Sequence, residues 1–480
     1  MRLGQTSVVY LVSKFTGSVL GFIATIYFTR TLGEEIYGFY ALTLAVVSWL
    51  GIVKTVGFSQ AMIKRMSEGE ETDAYLTAGI AIQAFLTLAV VVGVFVFREQ
   101  LNEYVGQPVT AFVVILLFVS VFSGLVNTAL QGTHRVHVYA PLNTVKQGVK
   151  SVAMIVLVLL GWGLSGMLLG NAIGTAVVAA IGILIVGPRV SMPRWHHVTR
   201  LFAFAKFSWL GSIRKKVYSE VDILVLGFFV PAGLTGVYAI AYILTEFLDI
   251  FGSAIRTTLF PELSKLASDE DAEMIGTLTR DALAYAGLFL VPGLVGGTLL
   301  GDRVMRVYGP GFEIGATVLP ILLVGILAYS YNKQLLNTLN AIDRPDLAFR
   351  ANAVFIAVNL ALNVLFVWRI GWTGAAVATA LSAGIGLVLG FHYARTQVDF
   401  IVPFDEMAHQ WIAALVMGVT VYVVRAAVET AHPWVDGYNT PFVALLVALG
   451  AGVYFLVLLA ISSTFRDVVR RNLPVDLPTL

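Results

Sequence analysis

The sequence predicts an all-α integral membrane protein of about fourteen transmembrane helices, built as two pseudo-symmetric six-helix lobes plus two C-terminal helices. Three observations predict it. The first is composition: 58% of the 480 residues are hydrophobic and 12% are charged, roughly half the charge of an ordinary soluble chain. Mean hydropathy is +0.84. Water cannot cover such a surface, whereas a bilayer can. The second is a succession of apolar windows of membrane-spanning length. The third is an internal repeat.

A hydrocarbon core of about 30 Å needs roughly 20 apolar helical residues. Windows of that kind run over 7–31, 36–56, 74–97, 109–130, 142–160, 165–186, 207–230, 233–256, 280–300, 314–334, 347–368, 372–396, 407–427 and 441–462. The first follows one early charge, Arg2, and exceeds a signal-peptide core, so it reads as a span that stays in place. The fifth and seventh are the least apolar. Lys146 and Lys150 lie near the start of one, and Arg214, Lys215 and Lys216 lie in the other. The longest connections, 187–206 and 257–279, leave no room for a soluble domain.

Basic residues orient the spans, because they accumulate on the cytoplasmic side. With the N-terminus inside, the inner ends hold Lys64, Arg65, Arg135, Arg189, Arg194, Arg200, Arg466, Arg470 and Arg471, among others. The outer ends hold only Arg30, Arg98, Arg303, Arg306, Arg369 and Arg425. The expectation is a multi-pass protein of the cell membrane with both termini cytoplasmic and residues 463–480 as an inner tail.

The repeat has an offset of about 200 residues. Leu32-Gly33 followed by Gly38-Phe39-Tyr40-Ala41 is echoed by Leu226-Gly227 followed by Gly236-Val237-Tyr238-Ala239. Asn127-Thr128 is echoed by Asn337-Thr338, and Gly161-Trp162 by Gly371-Trp372. Three echoes in one order argue for a duplicated six-helix unit, with lobes at 1–190 and 206–396 and two additional helices at 407–462. An even number of helices gives both copies the same orientation, around an axis along the membrane normal.

Ionisable residues inside spans cost about 2.5–3.5 kcal/mol each on insertion scales, so they face protein or water. In the eighth window Tyr238, Tyr242, Glu246, Asp249, Ser253 and Arg256 recur at steps of three and four, one helical face. The seventh carries Arg214, Lys215, Tyr218, Glu220 and Asp222, and the first carries Tyr10, Lys14, Ser18, Thr25 and Thr29. Together they suggest a water-filled, partly cationic cavity facing inward, with Arg214 and Glu246 at similar depth. The alternative stays open: buried pairs also act as helix glue, and Lys54, Lys146, Lys150 and Arg256 can snorkel to headgroups. Asn352, Asn359 and Asn363 read as interhelical hydrogen-bonders.

Other signals weigh against soluble chemistry. A net charge of +2 gives no field for nucleic acid, and the absence of cysteine removes thiolate sites and disulfides. Gly161-x-Gly163-x-x-Gly166 joins two membrane windows rather than a strand and a helix, so it is no dinucleotide fingerprint. Gly166, Gly170 and Gly174 suit close helix packing instead. Asp269-Glu270-Asp271 sits in too short a loop for a nucleotide-sugar domain. No phosphate-loop lysine motif is present. His196-His197 is a lone pair without further ligands, so no metal site is expected there, and no cofactor is expected.

Thr29-Arg30-Thr31-Leu32-Gly33 with Tyr37-Gly38-x-Tyr40-Ala41-Leu42 resembles the opening of the O-antigen (Wzx-type) lipid-linked oligosaccharide flippases. These belong to the multidrug/oligosaccharidyl-lipid/polysaccharide exporter superfamily. Val221-Asp222-Ile223-Leu224-Val225-Leu226-Gly227, Phe260-Pro261-Glu262-Leu263, and Asn359-x-x-x-Asn363 with Gly371-Trp372-Thr373-Gly374 extend the resemblance over about residues 1 to 400. It implies two lobes opening alternately and a lipid-diphosphate-linked glycan moved from the inner to the outer leaflet. Membrane lipids and glycan-assembly enzymes would be the partners. Lys14, Arg214, Lys215, Tyr218 and Tyr242 are the cavity candidates for a diphosphate. Glu220, Asp222, Glu246 and Asp249 are the candidates for proton or Na⁺ coupling. The membrane potential is an alternative drive, at about 2.3 kcal/mol per charge per 100 mV. The related peptidoglycan-precursor flippases carry a charged pair midway along the first span, where Ala24-Thr25 stand here, which disfavours that cargo. A small-molecule exporter of the same fold would need acidic residues dominating the N-terminal cavity. A membrane glycan polymerase would need a large outer loop. Neither feature is present in the sequence.

Overall fold

The computed structural model describes residues 3–55, 57–133, 135–187, 191–268 and 271–472, with the side chains of 3–19, 53–55, 206–215, 217–219 and some single positions outside that description. Asp269, Glu270, Arg189 and the C-terminal residues 473–480 lie outside it. Among the described residues every regular element is helical. Among the described residues ten helices are long and apolar enough to cross a membrane, or twelve if each of two bent pairs is a single span.

The first unit of the chain runs Met1–Gly236. It holds α1 (Leu3–Thr55), α2 (Phe58–Ser67), α3 (Thr72–Val96), α4 (Arg98–Val105), α5 (Thr110–Gly132), α6 (Val136–Leu159), α7 (Gly163–Val186), α8 (Trp195–Phe229) and the start of α9 (Ala232–Leu248). The two windows expected at 7–31 and 36–56 both fall in α1, which breaks at Gly33 with φ 81° and ψ 177°. Only glycine adopts that extended, positive-φ backbone without strain. The seventh window lies within the longer α8. The short helices α2 and α4 have too few apolar residues to be read as spans.

Close backbone approach is the main packing device. The glycines at 166, 170 and 174 press α7 onto α6, where a Cβ at Gly170 would stand 2.6 Å from the Met154 backbone and one at Gly174 2.6 Å from Lys150 Cα. The glycines of the two echoed motifs meet each other. A Cβ at Gly38 would overlap the Ala232 carbonyl, and one at Gly236 would overlap the Glu34 carbonyl. Apolar surplus faces outward. Phe85, Leu88, Phe95 and Leu184 are all exposed, which suits a lipid-facing surface.

The second unit runs Val237–Leu480. It continues α9 into α10 (Ile250–Ser268), then α11 (Ala272–Ala286), α12 (Leu290–Arg306), a 3₁₀ segment Pro310–Thr317, α13 (Leu319–Ala341), α14 (Pro345–Ile370) and α15 (Trp372–Arg395). After these come α16 (Phe404–Ala431), a 3₁₀ segment Pro433–Tyr438, α17 (Asn439–Ile461) and α18 (Ser463–Asn472). Two windows expected as straight spans are bent: α9 and α10 meet at 46°, and the 3₁₀ segment meets α13 at 55°. Asn359 Nδ2 donates to Thr379 Oγ1 at 3.4 Å, tying α14 to α15 as the sequence suggested. α16 and α17 pack on α12 through Val291, Leu300, Met417, Val421, Leu446 and Tyr454. Ser462 caps α18, accepting from Phe465 N–H at 2.9 Å and donating to the buried Glu406 carboxylate at 2.7 Å.

Candidate functional site

In the first unit the polar face of α8 meets the second half of α1. Lys216 Nζ lies 3.0 Å from Glu220 Oε1, one turn along the same helix, where the two face each other. Ser48 Oγ donates to the same carboxylate oxygen at 2.7 Å and accepts from Lys216 Nζ. Glu220, offered by the sequence as an ion-coupling candidate, is therefore half of an ion pair bridged by a serine. Ser48 and Lys216 were not singled out. An i, i+4 Lys–Glu spacing was the available signal. Asp222 is buried. The side chains of Lys14, Arg214, Lys215 and Tyr218 lie outside the described residues, so the pairing of Arg214 with Glu246 does too. Thr25 and Thr29, two members of the first-span stripe, donate back to their own helix, to Gly21 O at 2.8 Å and Thr25 O at 3.0 Å.

In the second unit the expected single face from Tyr238 to Arg256 is interrupted. The helix breaks between Leu248 and Ile250, and Asp249 stands at the break. Tyr238 and Tyr242 are buried and Glu246 is exposed, so the six residues do not share one environment. Tyr238, Tyr242 and Glu246 stay in register on α9 despite their different burial; the 46° bend takes Ser253 and Arg256 out of that register. Asp249 Oδ2 instead forms an ion pair with Lys333 Nζ from α13, and accepts from Ser253 Oγ at 3.1 Å. Both partners of the ion pair are almost fully buried, and the Lys333 ammonium lies 4.8 Å from the Tyr329 ring centroid. Gln334 Nε2 donates to Gly252 O at 2.9 Å on the next turn. Lys333 escaped the sequence reading, although a lysine inside an apolar window carries its own insertion cost and is the signal that would have flagged it.

A second charged cluster joins α12 to the last two membrane helices. The buried Arg303 reaches Glu429 at 2.7 Å, Asp436 at 2.8 Å and Asn439 at 3.2 Å. Arg425 reaches Asp302 at 2.7 Å and Glu429 at 2.7 Å. Glu429 keeps Arg425 and Asp436 stays solvent-exposed, so Arg303→Ala is expected to destabilise by about 1–3 kcal/mol, mainly by leaving the buried Asn439 short of a partner. A thermal melt in detergent, alongside a check that α16 and α17 become protease-sensitive, measures it. Between α12, α13 and α16 lies an apolar groove of 680 Å³, with Leu294, Leu299, Ile321, Val324, Trp411 and Leu415 among its walls.

Outside the spans, Glu71 precedes α3 and accepts from two adjacent histidines at the start of α8, His196 Nε2 at 3.1 Å and His197 Nε2 at 3.0 Å. The hydrogen bond from His196, more than any other neighbour, holds the Glu71 carboxyl below its ordinary value. The carboxylate that meets His196-His197 thus arrives from 125 residues upstream.

These features define a multi-pass helical membrane protein with ion pairs and close glycine contacts inside its bundle. The chain belongs to the polysaccharide biosynthesis protein family, whose model matches residues 3–267. It is similar to the probable flippase AglR of Haloferax volcanii, at 29% identity with 99% of each chain covered. It is also similar to the probable low-salt glycan biosynthesis flippase Agl15 of the same organism, at 26% identity over 98% of this chain and 99% of the other. Among solved structures, the lipid II flippase MurJ in an inward closed conformation matches with a TM-score of 0.80 at 17% identity, over 96% of this chain and 100% of that one. That match is a likeness of fold.

Proposed function

We propose that this protein is a flippase that moves a lipid-diphosphate-linked oligosaccharide from the inner to the outer leaflet by alternating access. The observation that carries the reading is end-to-end similarity to two proteins named as flippases, one of them in glycan biosynthesis. Fourteen spans follow if the Gly33 break divides α1 into two and α8 counts as the seventh. Both termini are then cytoplasmic, in the cell membrane. The lobes are 1–190 and 206–396, with 407–462 added. A cargo of this kind has a long apolar tail, a doubly charged diphosphate and a polar glycan. The groove beside α16 is apolar enough for a tail. Lys14, Arg214 and Lys215 are the cations we assign to the diphosphate, and Tyr218 and Tyr242 are the aromatic candidates for the same cargo. Asp222, Glu220 and Glu246 are the candidates for an exchanged proton or Na⁺. At Asp249 such a cation competes with the Lys333 ammonium. Glycan-assembly enzymes are the partners that would supply and use the cargo.

The test is leaflet transfer of a fluorescent lipid-diphosphate oligosaccharide in proteoliposomes. Transfer is expected to require the protein and to slow about tenfold or more in an Arg214→Ala/Lys215→Ala variant, a loss of about 1.4 kcal/mol. Normal transfer in that variant and in Lys14→Ala would keep the flippase and remove the assigned cations. No transfer with several such lipids would overturn the function. Ion dependence is tested separately: Asp222→Asn is expected to abolish the response of transfer to a proton or Na⁺ gradient, and an unchanged response removes Asp222 from coupling.

A further inference from the structure

The turn ahead of α3 and the first turn of α8 bring together three metal-ligating side chains. Among the described residues this is the group of Glu71, His196 and His197, whose ligand atoms all lie within 4.8 Å of one another. Both ring Nε2 atoms already point at one carboxylate oxygen, at 3.0 and 3.1 Å. The two rings lie 3.9 Å apart. We propose that Glu71, His196 and His197 form a binding site for a divalent transition-metal ion of the Zn²⁺ class.

The geometry needs little change. A tetrahedral ion with ligands at about 2.0–2.1 Å spaces those ligands about 3.3 Å apart, so the carboxylate oxygen retreats by a few tenths of an ångström. Two imidazoles and one carboxylate are a donor set for Zn²⁺ or Co²⁺. Mg²⁺ and Ca²⁺ prefer all-oxygen sites. Three protein ligands leave a fourth position for water. His197 is 1% exposed and packs edge-on against Tyr75 at 4.8 Å, so its ring is held in place. Glu71 and His196 open to solvent and give an ion its route in.

His197 also has the second partner that a ligating histidine needs. Its Nδ1 lies 2.9 Å from the Arg194 N–H and 3.2 Å from the Arg194 carbonyl. Without metal, Nδ1 accepts from that N–H and Nε2–H donates to Glu71. With metal, the proton sits on Nδ1 and donates to the carbonyl, which frees the Nε2 lone pair for the ion and gives up the hydrogen bond from the Arg194 N–H, which must turn to water. Glu71 has φ 49°, a left-handed backbone rare outside glycine. Such conformations persist where the surroundings hold them and cluster at ligand sites. A bound ion staples the start of α8 to the turn ahead of α3.

The test uses the full chain, purified through a tag without histidines, stripped with a chelator and titrated with Co²⁺ in detergent. Visible absorption bands of a near-tetrahedral nitrogen–oxygen site are expected, reversed by Zn²⁺, together with a Zn²⁺-dependent rise in the melting midpoint. Glu71→Gln and His196→Ala are each expected to weaken binding at least about tenfold. His196 is half-buried, and its removal costs His197 one ring contact while leaving its packing on Tyr75 in place, which keeps the test sound if Glu71→Gln disturbs the turn. Absent bands, or bands and melting shifts unchanged in both variants, would overturn the site and leave the three residues as a hydrogen-bonded clasp.

Discussion

Replacing Lys333 with methionine is expected to cost about 3–5 kcal/mol of stability, because it leaves a buried aspartate without its cation. Lys333 and Asp249 are each almost fully buried. Ser253 supplies one further hydrogen bond, to the same Asp249 oxygen that meets Lys333. Asp249→Asn in the wild-type background strands the ammonium instead, and is expected to cost a similar amount. The double variant Lys333→Met/Asp249→Asn should recover most of the loss, since no net charge is then buried. A double-mutant cycle read from detergent unfolding separates the pair from its surroundings. Additive losses would mean that the two residues act independently, contrary to their contact. The pair is expected to matter for transport as well, because it holds α13 against the break between α9 and α10.

The second large effect concerns Gly38. A methyl group there has no space, since it would overlap the Ala232 carbonyl, and Gly236 meets the Glu34 carbonyl in the same contact. Backbone cannot swing aside as a side-chain tip can. Gly38→Ala is therefore expected to destabilise by about 1–3 kcal/mol, with Gly38→Leu at or beyond the top of that range. Gly93, inside α3, is the control. Nothing lies within 4 Å of a Cβ built there, so Gly93→Ala is expected to be neutral or to stabilise by up to about 1 kcal/mol, through helix propensity. Melting midpoints and yields of folded protein in detergent check both. Equal effects at the two glycines would show that the contact at Gly38 relaxes freely.

Much of the helical architecture is readable in the chain because a bilayer imposes it locally. Within hydrocarbon every backbone N–H and C=O must be satisfied inside its own segment, so a long apolar stretch can only be a helix. That is why the windows at 74–97, 109–130, 347–368 and 372–396 correspond closely to α3, α5, α14 and α15. The interhelical role of Asn359 and the glycine packing of α7 were legible for the same kind of reason. A polar or very small residue on an apolar helix has few other uses.

The polar stripe of the eighth window shows where local reading stops. Its periodicity assumes an unbroken helix, and no proline or glycine marks the bend at Asp249. The bend belongs to the packing of α10 on α13, where Lys333 and Gln334 grip the chain at Asp249 and Gly252. Ser48 and Lys216 illustrate a milder case. Their contact joins helices far apart in sequence, and only the Lys216–Glu220 spacing was visible beforehand.

Composition and period thus settle which segments are helices and that they belong in a membrane. They also reveal the echoed glycine motifs. The partners of these buried polar groups came only from tertiary structure: Lys333 for Asp249 at a separation of 84 residues, and Glu71 for His197 at 126. The same holds for the meeting of Gly38 with Ala232 and of Gly236 with Glu34. Hydropathy acts one segment at a time, whereas a charge or a glycine surface is satisfied by whichever distant segment the packed bundle places beside it.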